Sequence, residues 1–293
     1  MSRGAPPVSV VIPTYNRAAF LPEAVSSVLN QTGVDFELIV VDDGSTDESG
    51  AYLATLAAIH TGACRPVRVI RLDHTGMPGA VRNAGARDAT GRYLAFLDSD
   101  DLWLADKLAR QLALHGEAPS RAVGDVAPAI SHTREVWLRG GRTVSQKSQK
   151  HRRTGFVFPD ALSKCTIGPS TAMVDRELFL AEGGFREDLD FAEDYELWLR
   201  LVWNREVAYL DEPLTVKRAG HGDQLSTRFG AMERIRLEAL RSLVDGGVFR
   251  DPVAEKLARG ELARKCRIYA AGARKHGRPD EADAFERLAA RYG

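Results

Sequence analysis

Tyr93–Asp101 reads YLAFLDSDD: five apolar or aromatic residues run straight into three aspartates within four positions. A short apolar run bounded by turn residues is the pattern of a strand buried on both faces. Aspartates at its end would then stand on the rim of a sheet. The pattern recurs upstream. Val8–Ile12 (VSVVI) is β-branched and is expected to stop at Pro13, which cannot donate to a central ladder. Phe36–Val41 (FELIVV) ends in the turn residues Asp42-Asp43-Gly44-Ser45. Between these two runs, Phe20, Leu21, Ala24, Val25, Val28 and Leu29 recur at helical spacing. Further helices are read near Glu48–Ala58 and Pro78–Asp88, and a strand over Val67–Leu72. Strand and helix alternating at this spacing predict an α/β fold with a mostly parallel, Rossmann-like sheet flanked by helices. Ligands of such sheets bind beyond the carboxyl ends of the strands. Pro13–Asn16, Asp42–Ser45 and Asp98–Asp101 are therefore expected on one rim.

Beyond about residue 116 the alternation loosens. Glu135–Leu138 and Arg142–Ser145, separated by Arg139-Gly140-Gly141, read as a hairpin. Residues 134–153 hold seven Lys/Arg against one acid, Glu135. A solvated basic loop is the plain reading; contact with phosphates, an anionic acceptor or a membrane surface is the sharper one. From Met232 onward the chain reads as amphipathic helices whose expected role is packing or oligomer contact.

The bulk composition excludes several classes of function. Among 293 residues, Lys+Arg and Asp+Glu are each 40, which argues against a nucleic-acid binder driven by overall charge. Cys64, Cys165 and Cys266 form no CxxC pair, so neither a zinc cage nor a dithiol redox site is expected. No apolar run reaches the ~18 residues of a membrane span, and no signal-peptide pattern opens the chain, so a cytoplasmic location is expected. GxGxxG after the first strand, GxxxxGK[ST], HExxH and Gly-x-Ser-x-Gly are all missing. A nucleotide-type sheet without a glycine phosphate loop must neutralise phosphates in another way, and a carboxylate-held cation is the obvious candidate.

Four constellations could carry chemistry. Asp98-Ser99-Asp100-Asp101 offers two carboxylates one residue apart, able to bracket a hard cation; an ordinary acidic turn is the alternative. Asp42-Asp43 could accept from a ribose or a base N–H, or form an Asx-turn with Gly44 and Ser45. Glu193-Asp194 opens a helix with the apolar face Leu197, Trp198, Leu201 and Val202. Acids there are ordinary caps, but a carboxylate could equally serve as a general base. His221, between Gly220 and Gly222, could approach a metal or a phosphate.

Taken together these stretches resemble the inverting glycosyltransferases of family 2, which have the GT-A fold. The resemblance rests on VSVVIPTYNR (Val8–Arg17), FLPEAVSSVLNQT, ELIVVDDGSTD (Glu37–Asp47), PGAVRNAG (Pro78–Gly85), GRYLAFLDSDDLW (Gly91–Trp103) and GGFRE…EDYELWLRL (Gly183–Leu201). It covers roughly residues 6–225, and these motifs in one order and spacing are specific. The chain lacks the QxxRW motif of processive members, so a single sugar addition is expected.

The resemblance implies a GT-A domain over 1–228, with a nucleotide-binding half (about 6–115) and an acceptor and catalytic half (about 116–228), followed by a helical C-terminal extension (229–293). It implies that Pro13, Thr14 and Tyr15 wall the nucleobase pocket. Asp43 would contact the base, Asp42 the ribose or its loop, and Arg82 the nucleotide or diphosphate. Asp98 and Asp100 match the DxD motif, with Asp100 the direct ligand of Mn²⁺ or Mg²⁺ and Asp98 shared with the nucleotide. Asp194 matches the catalytic base. His221 matches a late histidine that in some relatives completes the metal or diphosphate site. Ser170 and Thr171 fall where relatives place a loop beside the acceptor. The implied reaction moves a sugar from a nucleotide-diphosphate sugar to an acceptor hydroxyl, on a carbohydrate or lipid-linked acceptor, in cell-surface polysaccharide or glycoconjugate synthesis. Two other classes remain. A sugar-nucleotide pyrophosphorylase is disfavoured by PTYNR in place of a glycine-rich loop. A non-catalytic nucleotide-sugar binder is disfavoured by the intact Asp98, Asp100 and Asp194.

Overall fold

β1 (Val8–Thr14) is the hinge of the architecture, because its neighbours on either side come from opposite directions along the chain. In the computed structural model it pairs in parallel with β2 (Phe36–Asp42) and with β4 (Tyr93–Phe96), while β2 pairs in parallel with β3 (Val67–Arg71). Residues 5–60, 65–116, 127–144, 152–220 and 229–293 are described. The strand order β3-β2-β1-β4 reverses direction between β1 and β4, which is where open α/β sheets bind ligands. The three connecting helices are α1 (Leu21–Leu29), α2 (Ser49–Ile59) and α3 (Pro78–Asp88).

Alternation along the strands divides the core. Val8, Val10 and Ile12 pack with Leu21, Val25 and Val28 of α1 and Leu53 of α2 on one face. Val11, Ile39 and Val41 pack with Val81 and Ala86 of α3 on the other. Both faces are covered, so the strands read as continuous apolar runs. Helix α3 approaches the sheet closely: a Cβ at Gly85 would lie 2.5 Å from Val11 Cγ1 and 3.0 Å from Val41 Cγ2.

Pro13 does not end β1. Thr14 O accepts from Asp43 N on the β2 side, and Val11 O accepts from Leu97 N on the β4 side. By alternation the Pro13 nitrogen faces β4, whose pairing has already stopped at Val11↔Phe96. The missing donor therefore removes no ladder bond, and the strand continues as a one-sided edge.

Past β4 the sheet becomes mixed. β8 (Ala172–Asp175) joins β4 antiparallel, and β6 (Ile130–Arg139) joins β8 antiparallel. β9 (Ala208–Ala219) then runs parallel to β6. The register slips around Thr133, Arg134 and Glu135, opposite the stretch that contains Pro213, which is how a proline is housed in a long strand. The short strand β5 (Leu102–Trp103) follows directly on Asp98–Asp101 and pairs with β9, tying the aspartate loop to it. The expected hairpin is present: β6 turns through Gly140 (φ 54°) and Gly141 (φ 75°) into β7 (Arg142–Val144). Two consecutive positive φ angles make this the twist-compatible two-residue turn. Residues 145–151 of the basic stretch lie outside the described residues.

The remaining helices are α4 (Lys107–His115), α5 (Phe158–Ser163), α6 (Arg176–Ala181), α7 (Glu193–Val202), α8 (Phe229–Asp245), α9 (Pro252–Lys275) and α10 (Pro279–Tyr292). α9 is capped by Asp251, whose carboxylate accepts from Val253 N and Ala254 N, with Pro252 at the first position. Leu240 of α8, Leu262 of α9 and Tyr292 of α10 belong to the same apolar cluster as Trp198 of α7.

Gly85→Ala should lower stability although alanine is the better helix former. The added methyl meets two buried valines, and overpacking of about 1–3 kcal/mol outweighs a propensity gain of about 1 kcal/mol. Urea denaturation checks this: an unchanged or raised midpoint would show that α3 can lift off the sheet without loss.

Candidate active site

The carboxyl ends of β1, β2 and β4 open on one cleft of about 690 Å³. Its first wall follows from two loops that clasp each other. Asn16, at φ 49°, donates its backbone N–H to Ser45 Oγ (2.9 Å) and accepts from Thr46 N (2.8 Å). This holds Tyr15 outward, where its ring stacks on His74 at 3.9 Å between centroids and 16° between planes. Asp43 fixes the opposite loop: it accepts from Thr75 N (2.8 Å), Thr75 Oγ1 (2.9 Å) and Gly76 N (3.0 Å), and lies 2.9 Å from His74 Nδ1. Pro13, Thr14, Tyr15 and Asp43 all line the cleft, as does His74. His74 sits in an irregular loop between β3 and α3, and nothing in its sequence neighbourhood marks it. Asp42 is placed differently. Its carboxylate accepts from Ser45 N (2.9 Å) within its own turn, and it is not part of the cleft lining.

The centre of the cleft is built around Arg82, from the second turn of α3. Its guanidinium donates to Glu193 Oε1 and to Asp98 Oδ1, each at 2.6 Å, with the Phe185 ring 5.4 Å away. Burial works against its charge, but Asp98 and Glu193 outweigh burial and keep it firmly protonated. For Asp98 burial favours the neutral acid; Arg82 and Lys217 overcome this and hold it below the usual carboxylate range. Glu193 is therefore an ion-pair partner as well as a helix-start acid, and the sequence reading had not distinguished it from a cap.

The Asp98–Asp101 loop is pinned from below. Ser170 Oγ accepts from Asp98 N (3.1 Å) and donates to Asp101 Oδ2 (2.7 Å), while Ser170 O accepts from the Trp103 indole (2.7 Å). Ser170 and Thr171 lie in a short 3₁₀ turn, Pro169–Thr171, and are fully buried. Ser170 supports the aspartate loop, and neither residue presents surface to an acceptor. β9 brings two cations that the sequence analysis missed. Lys217 Nζ lies 3.7 Å from Asp101 Oδ2, and the Arg218 side chain bonds Asp100 O and the Glu23 carboxylate. They could be located only once β9 was known to run beside β5.

Asp98, Asp100, Asp101 and Glu193 crowd Arg82, Lys217 and Arg218. Burial, opposed by Lys217 and reinforced by Asp98 and Asp100, pushes Asp101 up to about 7. Burial, opposed by Arg82 and reinforced by Asp194, pushes Glu193 up to about 7. Asp194 follows Glu193 at the start of α7, after Ala192 in a left-handed conformation (φ 60°). Its carboxylate accepts from Tyr195 N (2.7 Å) and from the Cys165 thiol (3.3 Å). It does not line the cleft itself, yet it interacts electrostatically with Arg82 and Lys217, which do. His221 lies outside the described residues.

The donor set suits a hard cation. Asp98 and Asp100 line the cleft beside Asp101, whose carboxyl burial pushes up to about 7. Among the described residues no three His, Cys, Asp or Glu side chains form a ready-made cage. Mg²⁺ or Mn²⁺ binds through one or two carboxylates and completes its shell with phosphate oxygens and water.

Fold and cleft together define a transferase of the GT-A architecture. The family described as Glycosyl transferase family 2 matches residues 9–180, and the chain belongs to it. An uncharacterised glycosyltransferase of Rickettsia felis is 34% identical over 217 residues, 73% of this chain and 33% of its own length. The chain thus spans about a third of that relative. TuaG of Bacillus subtilis (strain 168), provisionally named a teichuronic acid biosynthesis glycosyltransferase, is 31% identical over 236 residues, 80% of this chain and 87% of its own. Among solved structures, S. aureus TarS 1-349 in complex with UDP-GlcNAc has a TM-score of 0.65 at 19% identity, covering 96% of this chain and 90% of that one. The mannosyltransferase PcManGT of Pyrobaculum calidifontis, in complex with GDP-Man and Mn²⁺, has a TM-score of 0.61 at 18% identity, covering 98% and 86%. At these identities the two structures establish the fold. No described helix is long and apolar enough to cross a membrane.

Glu193 sets a pH dependence whose sign follows from its raised value of about 7. Between its ordinary range and about 7 it holds a proton when folded and none when unfolded. Its contribution is fully present below about 4.5 and is lost as pH rises through about 7, with a slope of at most about 1.4 kcal/mol per pH unit. Glu193→Gln should flatten that part of the profile. Urea midpoints of both proteins from pH 5 to 8 check this; parallel profiles would remove Glu193 as the source.

Proposed function

We propose that this family 2 glycosyltransferase moves one sugar, with inversion, from a nucleotide-diphosphate sugar to a hydroxyl of a carbohydrate or lipid-linked acceptor in cell-surface polysaccharide or glycoconjugate synthesis. The observation that carries the reading is one cleft holding the Tyr15–His74 stack, Arg82 and the Asp98–Asp101 loop in succession. The donor complexes of the two structural neighbours, with UDP-GlcNAc and with GDP-Man, support a nucleotide sugar, and the name of TuaG supports cell-surface polymer synthesis.

In this reading residues 6–115 form the nucleotide-binding half, 116–228 the acceptor and catalytic half, and 229–293 a helical extension. Pro13, Thr14 and Tyr15 hold the base, and Asp43 meets it from the facing loop. Asp42 shapes that loop through its bond to Ser45. Arg82 and Lys217 stabilise charge on the departing diphosphate, because preformed cations cost no reorganisation when the charge develops. A Mn²⁺ or Mg²⁺ ion on Asp100 and Asp98, with His221 as a further ligand, would supply additional charge neutralisation there; the Mn²⁺ complex of PcManGT supports this choice. Asp194 takes the proton from the acceptor hydroxyl. The oxygen then forms its bond to the anomeric carbon on the face opposite the breaking bond to the diphosphate, which inverts the centre. We place the enzyme in the cytoplasm, with the exposed basic residues of the 134–153 stretch, Arg134, Arg139 and Arg142 among them, as its contact with a membrane surface.

Calorimetry of the purified chain against UDP and GDP should show binding that requires Mn²⁺ or Mg²⁺; binding of neither nucleotide with either ion would sink the assignment. Asp194→Asn should keep that binding while transfer falls by about 10²–10⁴, since an amide keeps the shape but cannot accept the proton. Normal turnover by this variant, in a product-release assay with a panel of nucleotide sugars, would reassign the base.

A further inference from the structure

Trp137 lies on β6 beside Lys217 of β9 and lines the cleft. Neither the nucleotide site nor the proposed chemistry uses it. Its indole N–H is already engaged, donating to Glu135 Oε1 at 2.6 Å. Glu135 is held in turn by Arg152 at 2.7 Å, in a pair whose side chains are 1% and 8% exposed. Burying such a pair is at best neutral for stability compared with apolar residues of the same volume. What it does provide is position: a rotamer locked by a hydrogen bond, itself locked by a buried cation. With its polar edge occupied, the indole can offer the cleft only its apolar ring, and Lys217 Nζ stands 5.9 Å from the ring centroid.

The order of the sheet says which substrate that ring would meet. Tyr15 leaves from β1, Asp98 from β4 and Trp137 from β6, with β8 between β4 and β6. The base-stacking wall and Trp137 are therefore on opposite sides of the Asp98–Asp101 loop. Lys217, the strand neighbour of Trp137, is, like Arg82, a cleft cation that feels Asp194.

We propose that Trp137, fixed by the Glu135–Arg152 pair, is a stacking platform for the pyranose ring of the acceptor sugar. The apolar C–H face of the sugar lies on the indole, and its hydroxyl edge is directed toward the Asp194 side of the cleft. This rests on the proposed transferase reading and deepens it: the acceptor is a glycoside whose terminal ring exposes an apolar face, not a simple polyol or a protein hydroxyl. Such a platform adds affinity without adding charge, so it selects acceptors by ring shape.

The test uses the full chain loaded with the nucleotide diphosphate and ion identified by calorimetry. Methyl glycosides of glucose, galactose, mannose and N-acetylglucosamine serve as probes, read by saturation-transfer NMR. At least one glycoside should bind the wild type. Trp137→Ala should weaken it about tenfold, the scale of one aromatic contact, and Trp137→Phe should stay within about threefold. Glu135→Gln should weaken it less than Trp137→Ala, because the amide oxygen still accepts from the indole. The nucleotide Kd should stay within about twofold in all three variants, which also shows that they are folded. Glycoside affinity unchanged in Trp137→Ala, or no glycoside binding by nucleotide-loaded wild type, overturns the platform. A selective loss of affinity for the nucleotide sugar relative to the bare nucleotide also overturns it, by moving Trp137 to the donor. Failure of nucleotide to bind the wild type strikes the transferase reading instead, and is seen before any glycoside is added.

Discussion

The division of the Arg82 guanidinium between Glu193 and Asp98 is the constraint on which the site depends. It joins two neighbouring elements, α3 and the exit of β4, to the start of α7, 111 residues beyond Arg82. Removing either partner would leave one of the buried guanidinium hydrogen bonds unmade, at a penalty of about 1–3 kcal/mol. The start of α7 is therefore held against the cleft although Ala192 must adopt a left-handed backbone to reach it, a conformation costing about 1–3 kcal/mol in a non-glycine residue. Asp194 inherits its place from that ion pair. Its own bonds, to Tyr195 N and the Cys165 thiol, orient the carboxylate but do not anchor the helix.

What the chain revealed in advance was whatever is encoded locally. The aspartate loop was legible because an apolar run and the carboxylates that follow it are contiguous, and a parallel sheet places all such exits on one side. The Tyr15 loop and Asp43 were legible for the same reason. Asp42 was not separable from Asp43 by sequence; only the structure shows its carboxylate closing its own turn on Ser45. Glu193 looked like an ordinary helix-start acid because its partner lies 111 residues away. Lys217 and Arg218 were invisible because their role depends on β9 pairing with β5, and β9 itself carries Pro213 and a register slip that break the strand pattern. Pro13 misled in the other direction. The rule that proline ends a central strand is sound, but β1 is no longer central at that residue.

The second half of the sheet explains why a motif at the exit of β4 becomes a site. β8 places Ser170 under Asp98 and Asp101, β5 ties the loop to β9, and β9 returns two cations to the same loop. The loop is thus fixed from the backbone outward before any ligand arrives, and such preorganisation lets electrostatic stabilisation act without reorganisation. The helices after residue 229 extend the same support, since Leu240, Leu262 and Tyr292 share the apolar cluster that buries Trp198 on α7.

This preorganisation carries a stability cost that can be located. Asp101 and Glu193 are raised to about 7 because burial and neighbouring carboxylates disfavour their charge more than Lys217 and Arg82 favour it. A core designed only for stability would replace one of them with an apolar residue or an amide. Keeping both sets two carboxyls that hold their protons up to about 7 beside the Arg82 and Lys217 cations of the cleft. In the transferase reading proposed above, a phosphate group arriving with a divalent cation would meet less repulsion from the Asp98–Asp101 loop than a bare one. In that reading the arrangement would favour a cation-bound diphosphate over a bare anion, through repulsion as well as contact.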